Sequence, residues 1–244
     1  MAASPTGIPS VWTRPPRERR DQPALSRDQI VAEAIRLLDE EGFDALSMRK
    51  LGARLGAGAT SLYTHVANKD ELLELVVDQV IGEVAVPAPD GDRWREVMHE
   101  QAAGVRKTLL AHPWITVVLS TAALMYLGPN MMRLTDSMIA ILDAAGLPDD
   151  VVDIAGNAVF QFVVGSCGGE AAMLMTIAQS GLSSEQWATQ VLAASEAAAR
   201  PFPRLHQRYT DQLARLRDRP DPAVFDKFTR ELDLILDGIE TRRV

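Results

Sequence analysis

Arg49, Lys50, Thr60, Ser61, Tyr63, Thr64, His65 and Lys69 crowd into a stretch of 21 residues around the turn Gly56-Ala57-Gly58. Each can donate or accept a hydrogen bond or carries positive charge. Together they suit the reading of duplex DNA. A guanidinium can meet a guanine edge with two parallel bonds, and small hydroxyl side chains fit a major groove about 12 Å wide. Tyr, His and Lys are long enough to reach the flanking phosphates. Local charge agrees. From Ala45 to Lys69 there are four cations (Arg49, Lys50, Arg54, Lys69) and no Asp or Glu, a charge of +4 within a chain whose formal net charge is −8. Residues 87 to 244 carry −5, so the larger part of the chain repels phosphate. A blander reading makes Tyr63 a half-buried aromatic, His65 a capping or core histidine and the cations a solvated face. The absence of acids from 45 to 69 favours the DNA reading.

Such side chains need short helices to carry them, and the sequence supplies the signals. Ser26-x-x-Gln29 is a capping-box pattern, after which Ile30, Val31, Ala34, Leu37 and Leu38 recur at helical spacing until Gly42. Ser47 caps a second helix, whose apolar face is Met48, Leu51 and Leu55. After the Gly-Ala-Gly turn, a third helix over 59–66 buries only Leu62 and Val66 and leaves Thr60, Ser61, Tyr63, Thr64 and His65 outward. Asn68-x-x-Glu71 opens a fourth helix that Pro87 and Pro89 close. A short helix, a Gly-containing turn and a second short helix with a polar outer face form a helix-turn-helix.

At these residues the chain resembles the tetracycline-repressor family. The resemblance rests on Leu46-Ser47-x-Arg49-Lys50-Leu51-x4-Gly56 and Leu62-Tyr63-Thr64-His65-Val66-x-Asn68-Lys69-x-x-Leu72-Leu73, and covers about residues 26 to 80. It implies a three-helix DNA-binding domain, an all-helical effector domain, and a homodimer that leaves its operator when a small molecule binds. It also implies that Arg49 reads a base and that Ser61, Tyr63, His65 and Lys69 contact phosphates or base edges. Ala59, Thr60 and Thr64 depart from the tetracycline repressor itself, so its operator sequence does not carry over.

The rest of the chain predicts an all-α fold. Residues 1–25 form an Arg- and Pro-rich arm, read either as a minor-groove tracking segment or as chain without fixed structure. Residues 26–85 form the DNA-binding domain and 90–244 the effector and dimerisation domain. Helices are expected near 92–111, 114–127, 130–145, 149–179, 184–199, 202–218 and 222–240, the last capped by Asp221 with Pro222 at its first position. The helix after Asp149 has no charged residue between Asp153 and Glu170. A helix apolar on all sides must be covered on all sides, so the helices near 149–179 and 222–240 are expected to form a two-fold dimer interface. Within the large domain Met98, Trp114, Tyr126, Met138, Phe160, Val164 and Trp187 are candidate walls of an effector pocket.

Other chemistry finds little support. Gly165-Ser166-Cys167-Gly168-Gly169 lies inside a helix and is read as a packing stripe rather than a phosphate loop. His99, His112 and His206 show neither metal-ligand spacing nor a nucleophile beside them, so no catalytic residue, metal or cofactor is expected. The single cysteine and the absence of a leader-like apolar stretch suit a cytoplasmic protein. The apolar run Trp114–Leu127 is too short for a bilayer, which takes roughly 20 residues. The sequence therefore predicts a DNA-binding transcriptional regulator, a repressor released by a small molecule. A ligand-independent activator or architectural protein is the alternative.

Overall fold

The computed structural model describes residues 25–120, 128–218 and 226–243; among them are eleven α-helices and no strand. The chain divides into two compact units, one running through Gly168 and resuming at Ile235, the other comprising Gly169–Leu234.

The first unit begins with a head of short helices. In α1 (Arg27–Glu41) the Ser26 hydroxyl accepts from Gln29 N at 3.1 Å, and the Gln29 side chain accepts from Ser26 N at 2.8 Å. The capping box is therefore complete, and Ile30, Val31, Ala34, Leu37 and Leu38 are buried. A 3-10 turn at Phe43–Ala45, not foreshadowed by periodicity, leads into α2 (Met48–Arg54), capped by Ser47. The connection to α3 (Ala59–Leu62) has a physical signature. Gly56 N donates to Ala53 O at 3.2 Å and Ala57 N to Gly52 O at 2.8 Å, the paired bonds of a Schellman motif. That motif requires a left-handed residue, and Gly56 has φ +63°. Next, α4 (Lys69–Ile81) starts with Asn68 Oδ1 accepting from Glu71 N at 2.8 Å.

The fourth helix stops earlier than its proline signal. Glu83 N bonds Val80 O and Val84 N bonds Ile81 O, so the chain tightens into i→i+3 turns after Gly82, and Val84 is 2% exposed. Burial of Val84 turns the chain aside before Pro87 can act.

The body of the first unit consists of α5 (Trp94–Ala111), α6 (Trp114–Ser120), α7 (Pro129–Ala144) and the first part of α8 (Asp149–Ser180). Its core includes Trp94, Met98, Leu109, Ile115, Leu134, Ile141 and Leu142. At roughly 1.5 to 3 kcal/mol for each large apolar side chain taken from water, this burial is the main stabilising term. The end of α11 (Asp226–Glu240) is tied to the body: Trp94 Nε1 donates to Glu240 Oε2 at 3.0 Å, and Arg95 pairs with Asp237 at 2.7 Å. The N-terminus of α7 has no cap of its own. Its first free amides, Asn130 N and Met131 N, donate instead to Asp78 Oδ1 of α4 at 2.9 and 3.0 Å.

In the second unit, α9 (Ser184–Ala199) and α10 (Pro203–Asp218) pack as a hairpin, with His206 Nε2 2.5 Å from Glu196 Oε1. The expected cap of the last helix at Asp221 and Pro222 lies outside the described residues, as does most of the arm at 1–25.

Candidate nucleic-acid interface

The recognition segment is shorter than its apolar spacing suggests. Regular helix spans Ala59–Leu62, and the chain reaches Val66 through tight turns, His65 N bonding Leu62 O at 2.9 Å. Thr64 Oγ1 donates to Ser61 O at 2.6 Å; hydroxyls that bond the preceding turn in this way compete with helix continuation. Leu62 and Val66 are both 0% exposed and pin the segment to the head. Thr60, Ser61, Tyr63 and Thr64 are exposed, and His65 and Lys69 partly so. All six thus remain open to solvent to some degree, as does Arg49 in the first turn of α2.

Charge on this surface is smaller than the local count of +4. Arg54 Nε donates to Glu33 Oε1 at 2.5 Å and its Nη1 to Glu40 Oε2 at 2.7 Å. The hydrogen bond from Arg54 holds the Glu40 carboxyl below the usual carboxylate range, and Glu40 and Glu33 together raise the guanidinium. Lys50 pairs with Glu41. All three acids belong to α1, so acids distant in sequence neutralise two of the four cations. Lys69 lies 4.8 Å over the Phe43 ring. Arg49 alone among the four has no ion pair or ring contact within the described residues. Lys50 thus serves first as a brace between α1 and α2, a role that local sequence could not reveal.

The residues expected to wall an effector pocket are dispersed. Met138 and Phe160 line a cleft of about 270 Å³ between α7 and α8, with Met131, Leu134, Val152 and Asp153 also on its walls. Met98, Trp114 and Val164 are buried in the first unit and line no part of that cleft. The Trp114 indole is turned instead toward Asp39 of α1, 2.7 Å away. Trp187 lies on α9 in the second unit, and Tyr126 lies outside the described residues. Cys167 is buried, and Thr116 of α6 sits against Gly168, where an added Cβ would be 3.7 Å from it. That contact gives Gly168 a packing role, whereas Gly165 and Gly169 have open space beside them. Among the described residues no group of three or more His, Cys, Asp or Glu side chains could hold a metal.

Residues 30–76 match the family model of bacterial regulatory proteins of the tetR family, and residues 86–243 match that of the tetracyclin repressor-like C-terminal domain. The chain belongs to the tetR family. It is a helix-turn-helix transcriptional regulator of all-helical fold. It is 44% identical over 161 residues to a regulator of Saccharopolyspora erythraea, covering 66% of this chain and 67% of that one. With a transcriptional repressor of Streptomyces coeruleorubidus it shares 31% identity over 224 residues, 91% of this chain and 80% of the relative. Its fold is similar to that of ActR from Streptomyces coelicolor in complex with actinorhodin, with a TM-score of 0.75 and 32% identity over 89% of this chain and 96% of that one. By length and composition α8 could cross a membrane, yet it lies within the matched C-terminal domain, a third of its most apolar window buried.

Proposed function

We propose that this tetR-family regulator is a cytoplasmic homodimeric repressor that grips a pseudo-palindromic operator and lets go when a small molecule occupies its C-terminal domain. The observation that carries the reading is the recognition segment. Leu62 and Val66 anchor it while Thr60, Ser61, Tyr63 and Thr64 face outward beside Arg49. Arg49 supplies the two-pronged contact to a base, the small hydroxyls allow close approach, and Tyr63, His65 and Lys69 hold phosphates. Lys50 contributes to DNA contact only as far as Glu41 leaves it free. No catalytic role is proposed.

Dimerisation follows from α8 and α11. Along α8 Ile154 is 71% exposed, and Ala158, Gln161 and Gly165 follow it on the exposed face at spacings of three or four residues; on α11 Leu234 is 73% exposed. The exposed Ile154, with the small Ala158 and Gly165 on the same face of α8, leaves a surface that a second copy can cover at close range. The symmetric pair then presents two recognition segments to half-sites about 34 Å apart.

The cleft between α7 and α8 is the proposed effector site. Its apolar walls suit an aromatic or alicyclic ligand. Its polar lining is Thr135, Asp153 and Asn157, with no cation, so neutral or cationic compounds are favoured over carboxylates. The complex of the structurally similar ActR with actinorhodin lends support to a small-molecule effector. A coupling of only about 1 to 3 kcal/mol between the sites changes operator occupancy severalfold or more. Selection of bound duplexes from a random pool, with and without a panel of charged and neutral aromatic compounds, tests the whole reading. It expects one enriched palindrome whose recovery falls with a neutral or cationic compound. Failure to enrich any sequence over bulk DNA at physiological salt would sink it.

A further inference from the structure

The turn joining α5 to α6 reaches out of the body and meets the DNA-binding head. Trp114 is 4% exposed, and its Nε1 donates to Asp39 Oδ1 of α1 at 2.7 Å. His112 Nδ1 lies 2.7 Å from the same carboxylate oxygen, and His112 Nε2 lies 3.4 Å from Glu83 Oε2, two residues beyond α4. The two rings meet edge to face with centroids 6.2 Å apart.

The placement of Asp39 is what makes this cluster more than a local tie. Its helix, α1, also carries Glu33, Glu40 and Glu41, which hold Arg54 and Lys50 of α2. A force on Asp39 is therefore passed to the helix-turn-helix. On the body side, Thr116 of α6 rests against Gly168 of α8. The covalent link between head and body is α4. One tether leaves a pivot; a second attachment away from it removes the rotation. An indole N–H has one bond to give and no way to accept, so a buried Trp114 that left Asp39 would be stranded.

We propose that Asp39, His112 and Trp114 are positioning residues that set the angle of the head on the body, and through it the spacing at which the dimer's two recognition segments address an operator. The inference rests on the reading of the chain as a dimeric operator-binding regulator. A change of one base pair in the spacer shifts a half-site by about 3.4 Å and turns it by about 35°. A braced dimer resists both displacements, whereas an unbraced head follows them.

The test uses the full-length dimer and the duplex enriched from a random pool, together with duplexes whose central spacer is one base pair longer or shorter. The wild type should prefer its own spacing by at least about tenfold, since the misplaced half-site loses its base contacts. Asp39→Ala and Trp114→Phe should narrow that ratio to about threefold or less with unchanged affinity for an isolated half-site. Asp39→Asn, which keeps an oxygen to accept from Trp114, should restore most of the preference. A merely structural role would lower the melting temperature and all affinities together without touching the ratio. A wild-type ratio in folded Asp39→Ala and Trp114→Phe overturns the inference. If Asp39→Ala does not fold, Trp114→Phe decides it alone, because it removes the donor while keeping a smaller aromatic ring in place. Absence of any enriched duplex for the wild type would instead overturn the regulator reading itself.

Discussion

Asp78 offers the sharpest test of how head and body are joined. It sits on α4, 5% exposed, and accepts from Asn130 N, Met131 N and Asn130 Nδ2 at 2.9, 3.0 and 3.1 Å. It thus caps α7 from a different helix, in a place where Gly128 provides no side chain. Replacing it by Ala strands two amides of the first turn and removes a negative charge from the positive helix end. Loss of an N-cap costs about 0.5 to 2 kcal/mol, a hydrogen bond to a charged group about 1.5 to 3 kcal/mol, and the dipole interaction up to about 1 kcal/mol. These terms overlap, and release of a buried charge offsets part of them. Asp78→Ala should therefore cost about 2 to 4 kcal/mol. In a chain of this size each kcal/mol lowers Tm by about 2 to 4 °C, so the expected drop is about 5 to 15 °C in calorimetry at equal protomer concentration. Asp78→Asn keeps an acceptor for both amides and should lose about 1 kcal/mol. A Cβ on Gly128 would lie 2.1 Å from Asp78 Oδ1, so Gly128→Ala should cost at least as much as Asp78→Asn. If urea titration put Asp78→Ala within about 1 kcal/mol of wild type, the capping argument would be wrong.

Arg49→Ala should weaken binding to the enriched operator by about 1 to 3 kcal/mol and relax choice at one base pair; a uniform loss over all sequences would instead make Arg49 a phosphate contact. Lys50→Ala should cost operator affinity less than Lys69→Ala, since Glu41 already engages Lys50; the reverse order in gel-shift titrations would contradict that division. Glu40 is held below its ordinary value of 4.5, chiefly by its hydrogen bond from Arg54. Its contribution to stability is therefore full above that value and is lost as pH falls through the lowered one. Glu40→Gln should lower stability modestly at neutral pH, and its difference from wild type should vanish as pH falls through the lowered value, which flattens the acid limb. Ile154→Asp should yield monomers by sedimentation equilibrium and lose cooperative operator binding; an intact dimer would remove α8 from the interface.

Much of the head is legible because its signals are local. The caps at Ser26, Ser47 and Asn68, the turn at Gly56 and the anchors Leu62 and Val66 each depend on residues within a few positions. Where a distant group intervenes, local signals mislead. Pro87 and Pro89 mark where α4 must have ended, but burial of Val84 bends the chain sooner. Trp114 has the size of a pocket wall, yet Asp39, 75 positions earlier, claims its only donor. Of the six residues singled out for an effector within the described part of the chain, only Met138 and Phe160 share the cleft, because which apolar faces leave a gap depends on how α7 and α8 pack.

The sequence by itself determined the all-helical fold, the helix-turn-helix and the family, since periodicity, capping and turn chemistry act over one or two helical turns. Only the tertiary structure decided where the charge goes. Glu33, Glu40 and Glu41 lie 9 to 21 positions from the cations they meet, and helix packing alone brings them to Lys50 and Arg54. Arg49 is left without an ion pair among the described residues and Lys69 lies over Phe43, because the salt bridges made within the head neutralise the other two cations.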